Sequence, residues 1–247
     1  MRAFLEKEYG EWSDDFVYIT KNEFNNLGVE VIPFIVDNKK TIESCFQKYK
    51  PTKKDVYIGS VKYTTDFFEC LNVKTPDYIG FPESISKYLH RKITLKKFGD
   101  INEPYPFFIK PATNVKQFTG SLCANDAQNN ILKNFYDVNL ETLVYISEPI
   151  NFITEYRCFV HKRELKGIQY YMGDYTKFID TSVVLSAIDD YTDCNVAYTL
   201  DFGLTDTGLT ALVEVNDMWS IGSYGFNSKD YTRMCIDRML EIYRTTK

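Results

Sequence analysis

The sequence predicts a mixed α/β chain in two parts, and three observations carry that prediction. Residues 1–83 alternate short apolar runs with helix-patterned segments, an order that builds an open α/β unit on a mostly parallel sheet. Residues 84–247 then bring strand-like runs at hairpin separations, the mark of an α+β domain with largely antiparallel sheets. Finally, 247 residues with 44% hydrophobic content, 19 Tyr and 18 Phe supply ample core.

The elements follow in order. MRAFL opens as a strand. Asp14 to Leu27 places Phe16, Val17, Ile19 or Thr20, Phe24 and Leu27 at helical spacing, with Gly28 as the helix stop. Val29–Val36 reads as a strand, Thr41–Tyr49 as a short helix, Asp55–Val61 as a strand, and TTDFFECLNV as a helix. Ser84–Phe98, SISKYLHRKITLKKF, is basic and reads as a connector helix before the break at Glu103–Pro106. The strand-like runs PFFIKPA, LETLVYISEPI, EYRCFVHKRELKGIQYYMG, NVAYTLDFGL and LTALVEVND come next. Helices are expected at Ala127–Tyr136 and Thr181–Tyr191, and an amphipathic helix from Asp230 closes the chain.

Composition excludes several functions. A net charge of −5 argues against a broad nucleic-acid surface. Six dispersed cysteines form no C-x-x-C pair and no signal peptide is evident, so the thiols are read as reduced and the location as cytoplasmic. Two histidines leave little for a zinc site or a Ser–His–Asp triad. No apolar stretch is long enough to span a membrane, and neither G-x-x-x-x-G-K-[ST] nor G-x-G-x-x-G occurs.

The chemistry concentrates in DFGLTDTGLTALVEVN, Asp201–Asn216. TDTG is rich in turn formers, so the runs around it read as a hairpin. Glu214 and Asn216 then share a strand face, and antiparallel pairing can bring Asp201 beside them. Two carboxylates and an amide oxygen suit Mg²⁺ carrying a nucleotide phosphate, although acidic hairpin ends are also common without function. Lys110, at the end of FFIKP, reads as a point charge for a phosphate or as a lysine snorkelling to water. Lys116, Thr119 and Gly120 supply a charge, a hydroxyl and a flexible backbone for a phosphate-covering flap, or for a plain turn. YISEPI reads as a hinge whose backbone meets an adenine edge, with Glu148 accepting from ribose. Arg157 shares a strand face with Glu155 and Phe159, as a phosphate ligand or as half of an ion pair.

FFIKP, the K-x-F-T-G loop, ISEPI-x-F-x-x-EYRCFV and D-x(12)-E-x-N, in that order, resemble the ATP-grasp fold, and more narrowly the R2K-type ATP-grasp proteins of phages and bacteria. The resemblance implies a pre-ATP-grasp-like domain over 1–83 and an ATP-grasp domain over 84–247. It further implies ATP and Mg²⁺, with Mn²⁺ as an alternative, as cofactors. Lys110 resembles the phosphate-binding strand lysine, Lys116–Gly120 the flap, and Tyr145 and Ile146 the adenine hinge. Arg157 resembles the arginine near the γ-phosphate, and Asp201, Glu214 and Asn216 the metal ligands. Arg91, slightly preferred to Lys92, is similar to the remaining basic group. The implied reaction joins a small-molecule or peptide carboxylate to an amine through an acyl phosphate, releasing ADP and phosphate. The chain departs from the family after Asn216, where DMWSIGSYG replaces the usual Pro-Gly-type loop and leaves the substrate open. A regulatory ATP-binding module, or a ligase acting on a peptide or nucleic acid, is the alternative expectation. The basic stretch Lys87–Lys97 is the only support for the latter.

Overall fold

The structure is a computed structural model, and it describes residues 1–37, 39–114, 117–136 and 138–245. Strand β1 (Arg2–Glu8) is the centre of the first sheet. It pairs in parallel with β3 (Glu30–Ile35) on one edge and β4 (Val56–Ile58) on the other, while the short β2 (Glu11–Trp12) folds back antiparallel on its end. Helices α1 (Asp15–Asn26), α2 (Lys39–Tyr49) and α3 (Val61–Cys70) connect or follow these strands, as the alternating pattern predicts. Helix α1 buries Phe16, Val17, Thr20 and Phe24, spaced to share one face, and Gly28 follows it at a φ of 66° that a side chain would resist. Phe4, Phe34, Tyr57 and Phe67 meet at the centre of this core, Phe34 edge-on to the other three, Phe4 tilted on Phe67, and Tyr57 stacked on Phe67. Each such ring contributes roughly 1.5–3 kcal/mol through its buried apolar area.

Two antiparallel sheets make up the rest. One has the order β5 (Ile93–Lys97), β8 (Leu143–Ser147), β6 (Phe107–Pro111), β7 (Ser121–Cys123). It packs Ile109, Val144 and Ile146 against Leu132 of α4 (Asp126–Phe135). The other runs β10 (Glu164–Gly173), β9 (Phe152–His161), β11 (Ala197–Thr205), β12 (Thr210–Asp217). Its even-numbered residues Tyr156, Cys158, Leu200 and Phe202 pack with Val184, Ala187 and Ile188 of α5 (Thr181–Asp190). Its odd-numbered face carries Phe159 and Ala197 into the core shared with the first sheet. The closing helix α6 (Ser228–Thr245) does not stay with the second half of the chain. Tyr231, Met234, Met239 and Ile242 complete the core of the N-terminal sheet, and the Tyr243 hydroxyl donates to the Asp55 carbonyl at 3.0 Å.

One expectation is corrected here. Ser84–Phe98 is not a connector helix. A short 3₁₀ turn at Glu83–Tyr88 is capped by Leu89, His90 turns the chain with a φ of 51°, and Ile93–Lys97 becomes β5. Ile93 and Thr94 are β-branched, and the edge of β8 offers them backbone partners. The lysines that made the segment look like a basic helix suit an edge strand, where charge discourages further pairing. They are also matched by carboxylates: Lys87 with Asp190, Lys96 with Glu103 and Lys97 with Glu141.

Candidate active site

The hairpin predicted around TDTG is present. Thr205 and Leu209 close its turn through a main-chain bond of 2.8 Å, and Gly208 takes a φ of 84°. Its pairing puts Asp201 of β11 opposite Glu214 of β12, and the next strand puts Arg157 of β9 opposite Asp201. Three ionisable side chains therefore form one row across three adjacent strands. Arg157 donates Nε and Nη2 to the two oxygens of Asp201 at 2.9 and 2.7 Å, and Asn216 Nδ2 donates to the same carboxylate at 3.1 Å. Asp201 is 1% exposed. Burial pushes its carboxyl above the ordinary range; the Arg157 charge opposes this and nearby Glu214 adds to it. Burial works against the Arg157 charge too, but the adjacent carboxylate wins and raises that group.

The facing sheet supplies the opposite charge. Lys110 lies at the end of β6 with only 8% exposure, its ammonium 5.4 Å from both the Tyr78 and Phe81 ring centres. It is ion-paired with Glu214, across the gap between the two antiparallel sheets. The Tyr78 hydroxyl donates to the same Glu214 oxygen at 3.1 Å. The gap is a cleft of about 980 Å³, within the range of small-molecule sites, and both sheets line it.

Most of the predicted residues converge there. Arg91, Lys110, Thr119, Gly120, Tyr145 and Glu214 line the cleft. Arg157, Asp201 and Asn216 are buried directly behind Glu214. Arg91 enters the cleft wall while Lys92 is exposed, which separates the two. The Arg91 guanidinium donates to the carbonyls of Leu89, Leu212 and Val213 at 2.8–3.0 Å, and burial lowers its pKa to about 10. A Cβ at Gly120 would lie 2.6 Å from the Phe108 ring, so a larger residue there would push that ring aside. Thr119 and Gly120 belong to the loop between β6 and β7; Lys116 lies outside the described residues.

The hinge expectation changes. Tyr145 and Ile146 lie inside β8, which pairs on both edges, with Leu95 and Thr94 on one side and Lys110 and Ile109 on the other. Their main-chain groups therefore serve the sheet, and the Ile146 side chain is in the core. The chain crosses between sheets just after, at 148–151, where Pro149, Ile150 and Asn151 line the cleft. Glu148 turns away and accepts from the Lys92 main-chain N–H at 3.0 Å. Glu155 does face the cleft and holds the Tyr171 hydroxyl; burial raises its carboxyl, with the Tyr171 hydrogen bond opposing. Its i, i+2 spacing from Arg157 was the available signal. Tyr78 left none, because it lies outside every strand and helix that the sequence pattern marks.

A scan of protein families matches residues 88–234 to the ATP-grasp domain, R2K clade family 2, over more than half of the chain. The chain belongs to the R2K clade of ATP-grasp domains. Similar solved structures include a D-alanine–D-alanine ligase from Bacillus anthracis, at 14% identity, TM-score 0.54 and 99% coverage of each chain. A RimK-domain ATP-grasp protein from Sphaerobacter thermophilus is similar at 15% identity and TM-score 0.56, covering 100% of this chain and 99% of the other. An L-amino acid ligase from Bacillus licheniformis gives 10% identity and TM-score 0.57, covering 97% of this chain and 75% of that one. At these identities the likeness speaks for the fold. Comparison with curated proteins finds no match.

The ATP-grasp membership raises the question of magnesium. Among the described residues, no three His, Cys, Asp or Glu side chains group closely enough to cage a metal. What this R2K-clade chain presents is two cross-strand carboxylates with an amide beside them. That set fits Mg²⁺, which binds through one or two carboxylates plus phosphate oxygens and water rather than an all-protein cage. Among the same residues, no helix is long and apolar enough to cross a membrane.

Proposed function

We propose that the protein is an ATP-dependent carboxylate–amine ligase. The observation that carries this reading is the meeting of Lys110 and Glu214 across the cleft, with Asp201 and Asn216 next to Glu214. A lysine from one sheet and an acidic set from the other are what a bound triphosphate and its cation require. The adenine end of the nucleotide lies at Pro149–Asn151, and Glu155 rather than Glu148 accepts from ribose, because Glu155 is the carboxylate facing the cleft.

Lys110 holds phosphate oxygens in a pocket where aromatic rings exclude water and strengthen its charge. Arg157 keeps Asp201 ionised and oriented, and Thr119–Gly120 close over the phosphates. Asp201, Glu214 and Asn216 hold Mg²⁺, which when bound supplies charge neutralisation on the transferred phosphoryl group. A substrate carboxylate oxygen attacks the γ-phosphorus and ADP leaves, forming an acyl phosphate. An amine nitrogen then attacks the acyl carbon, the C–O bond to phosphate breaks, and the amine proton passes to solvent. The chain contributes mainly positioning and dryness, since the acyl phosphate is readily hydrolysed.

The test is ADP release in Mg²⁺ with a panel of amino acids, peptides and polyamines, followed by mass spectrometry of the product. A condensation product lighter by one water than its two substrates, formed with one ADP, is expected. Tight Mg·ATP binding with no ADP from any acceptor would reject the ligase in favour of a binding module.

A further inference from the structure

β12 is the last strand of its sheet, so one edge of the strand carrying Glu214 and Asn216 would face solvent. The segment joining the N-terminal unit to the rest of the chain covers that edge instead. Gly80 forms an antiparallel bridge with Val215, the residue between Glu214 and Asn216, and the Val215 N–H donates to the Gly80 carbonyl at 2.9 Å. Gly80 has a φ of 62°, and a Cβ there would lie 3.0 Å from both the Tyr78 and Tyr145 rings. Glycine suits both this backbone conformation and the close approach of the two rings. Further along, Arg91 takes the carbonyls of Leu212 and Val213. Val213 is the extra residue where the β11–β12 register shifts between Asp201 and Phe202. The backbone on both sides of Glu214 is thus held from outside the sheet.

The same approach brings Tyr78 to the Glu214 carboxylate. Its hydroxyl donates to Oε2 at 3.1 Å, and the Tyr78 and Tyr145 rings lie 6.3 Å apart. We infer that Tyr78 is a positioning residue for Glu214, fixing the carboxylate rotamer in which that residue serves a divalent cation. The inference rests on the proposed metal role of Glu214. Its physical basis is general: a ligating carboxylate is oriented by a hydrogen-bond donor behind it, and removal of such a donor typically weakens metal affinity about 10–100-fold. A Tyr serves here because its hydroxyl reaches Glu214 while its ring packs under the Lys110 ammonium.

The test compares full-length wild type, Tyr78→Phe and Glu214→Gln by calorimetric titration with ADP, with and without MgCl₂. Tyr78→Phe removes one oxygen and keeps the ring. The expected result is an ADP affinity without metal equal to wild type, and a Mg²⁺-dependent gain in affinity reduced roughly tenfold or more. Glu214→Gln is expected to lose that gain. If Glu214→Gln loses the gain and Tyr78→Phe keeps it in full, the positioning role is wrong while the ligase reading stands. If Tyr78→Phe weakens metal-free ADP binding just as much, Tyr78 acts by packing the cleft and the inference falls. If Glu214→Gln retains the whole gain, Glu214 is no metal ligand, and both the inference and the metal assignment fail.

Discussion

Two bidentate Arg–Asp pairs lie on the same antiparallel sheet with nearly the same geometry. Arg157 meets Asp201 at 2.9 and 2.7 Å, and Arg238 of α6 meets Asp217 at 2.7 and 2.6 Å. In both, burial pushes the carboxyl upward and the arginine opposes it. Their neighbours differ. Asp201 stands beside Glu214 and Asn216, and the rings of Tyr171 and Tyr224 flank Arg157 at 5.7 and 4.8 Å. Asp217 accepts from Asn195, and Arg238 also meets Glu241 on its own helix, so this pair fastens the end of β12 to α6. A buried charge pair thus says little about function by itself. Three residues along β12 from Glu214, the cross-strand neighbour of Asp201, the same chemistry passes from candidate machinery to a structural clasp.

The sharpest way to break the contrast is to neutralise each aspartate while keeping its shape. Asp201→Asn is expected to slow ADP release on the order of 10³-fold, about 4 kcal/mol of transition-state stabilisation. Asp217→Asn is expected to leave turnover per folded molecule within about threefold. Equal losses in the two variants would erase the distinction. Removing the cation of the clasp tests the other half. Arg238→Met leaves Asp217 buried without its cation, and urea unfolding is expected to show a loss of roughly 3 kcal/mol with ADP release per folded molecule retained.

A shallower pair sharpens the comparison further. Arg2 meets Asp55 at 3.2 and 2.7 Å at the start of the N-terminal sheet. Burial here also favours the neutral acid, but Arg2 and the Thr52 and Arg2 main-chain N–H groups outweigh it, bringing Asp55 to about 2 from its usual 3.8. The folded state then binds fewer protons than the unfolded chain between these values. Stability from Asp55 is therefore complete above about pH 4 and lost as pH falls toward 2. With Arg2 partly exposed, solvent screening trims the contribution to about 1–2 kcal/mol. Asp55→Asn should flatten that acid limb in chemical denaturation measured from pH 5 to pH 2; an unchanged slope would assign the limb to other carboxylates.

Legibility in the sequence followed the range of the interactions. The β11–β12 hairpin was readable because turn residues and strand alternation are local, and so was the convergence of Asp201, Glu214 and Asn216 that depends on it. The parallel unit was readable from its alternation of strands and helices. Ser84–Phe98 was misread because lysines protecting an edge strand imitate a charged helix face until β8 is known to lie alongside. That the sheet takes up the main chain of Tyr145 and Ile146 was equally hidden, since nothing local reveals that β8 is paired on both edges. Tyr78 was invisible, as its hydroxyl reaches a partner 136 residues away.

Glu148 and Glu155 offer a finer version of the same contrast, between a carboxylate that sequence favoured and one that geometry favours. Glu148 is exposed and tied to the Lys92 main chain; Glu155 is buried in the cleft wall under the Tyr171 hydroxyl. If ribose hydroxyls donate to Glu155, then Glu155→Gln exchanges a charged acceptor for a neutral one and loses about 1 kcal/mol of binding. The ATP KM is expected to rise roughly fivefold with kcat little changed, because such a contact is made equally in ground and transition states. Glu148→Gln should leave both constants alone. The opposite ranking would return the ribose to Glu148 and overturn the assignment to Glu155.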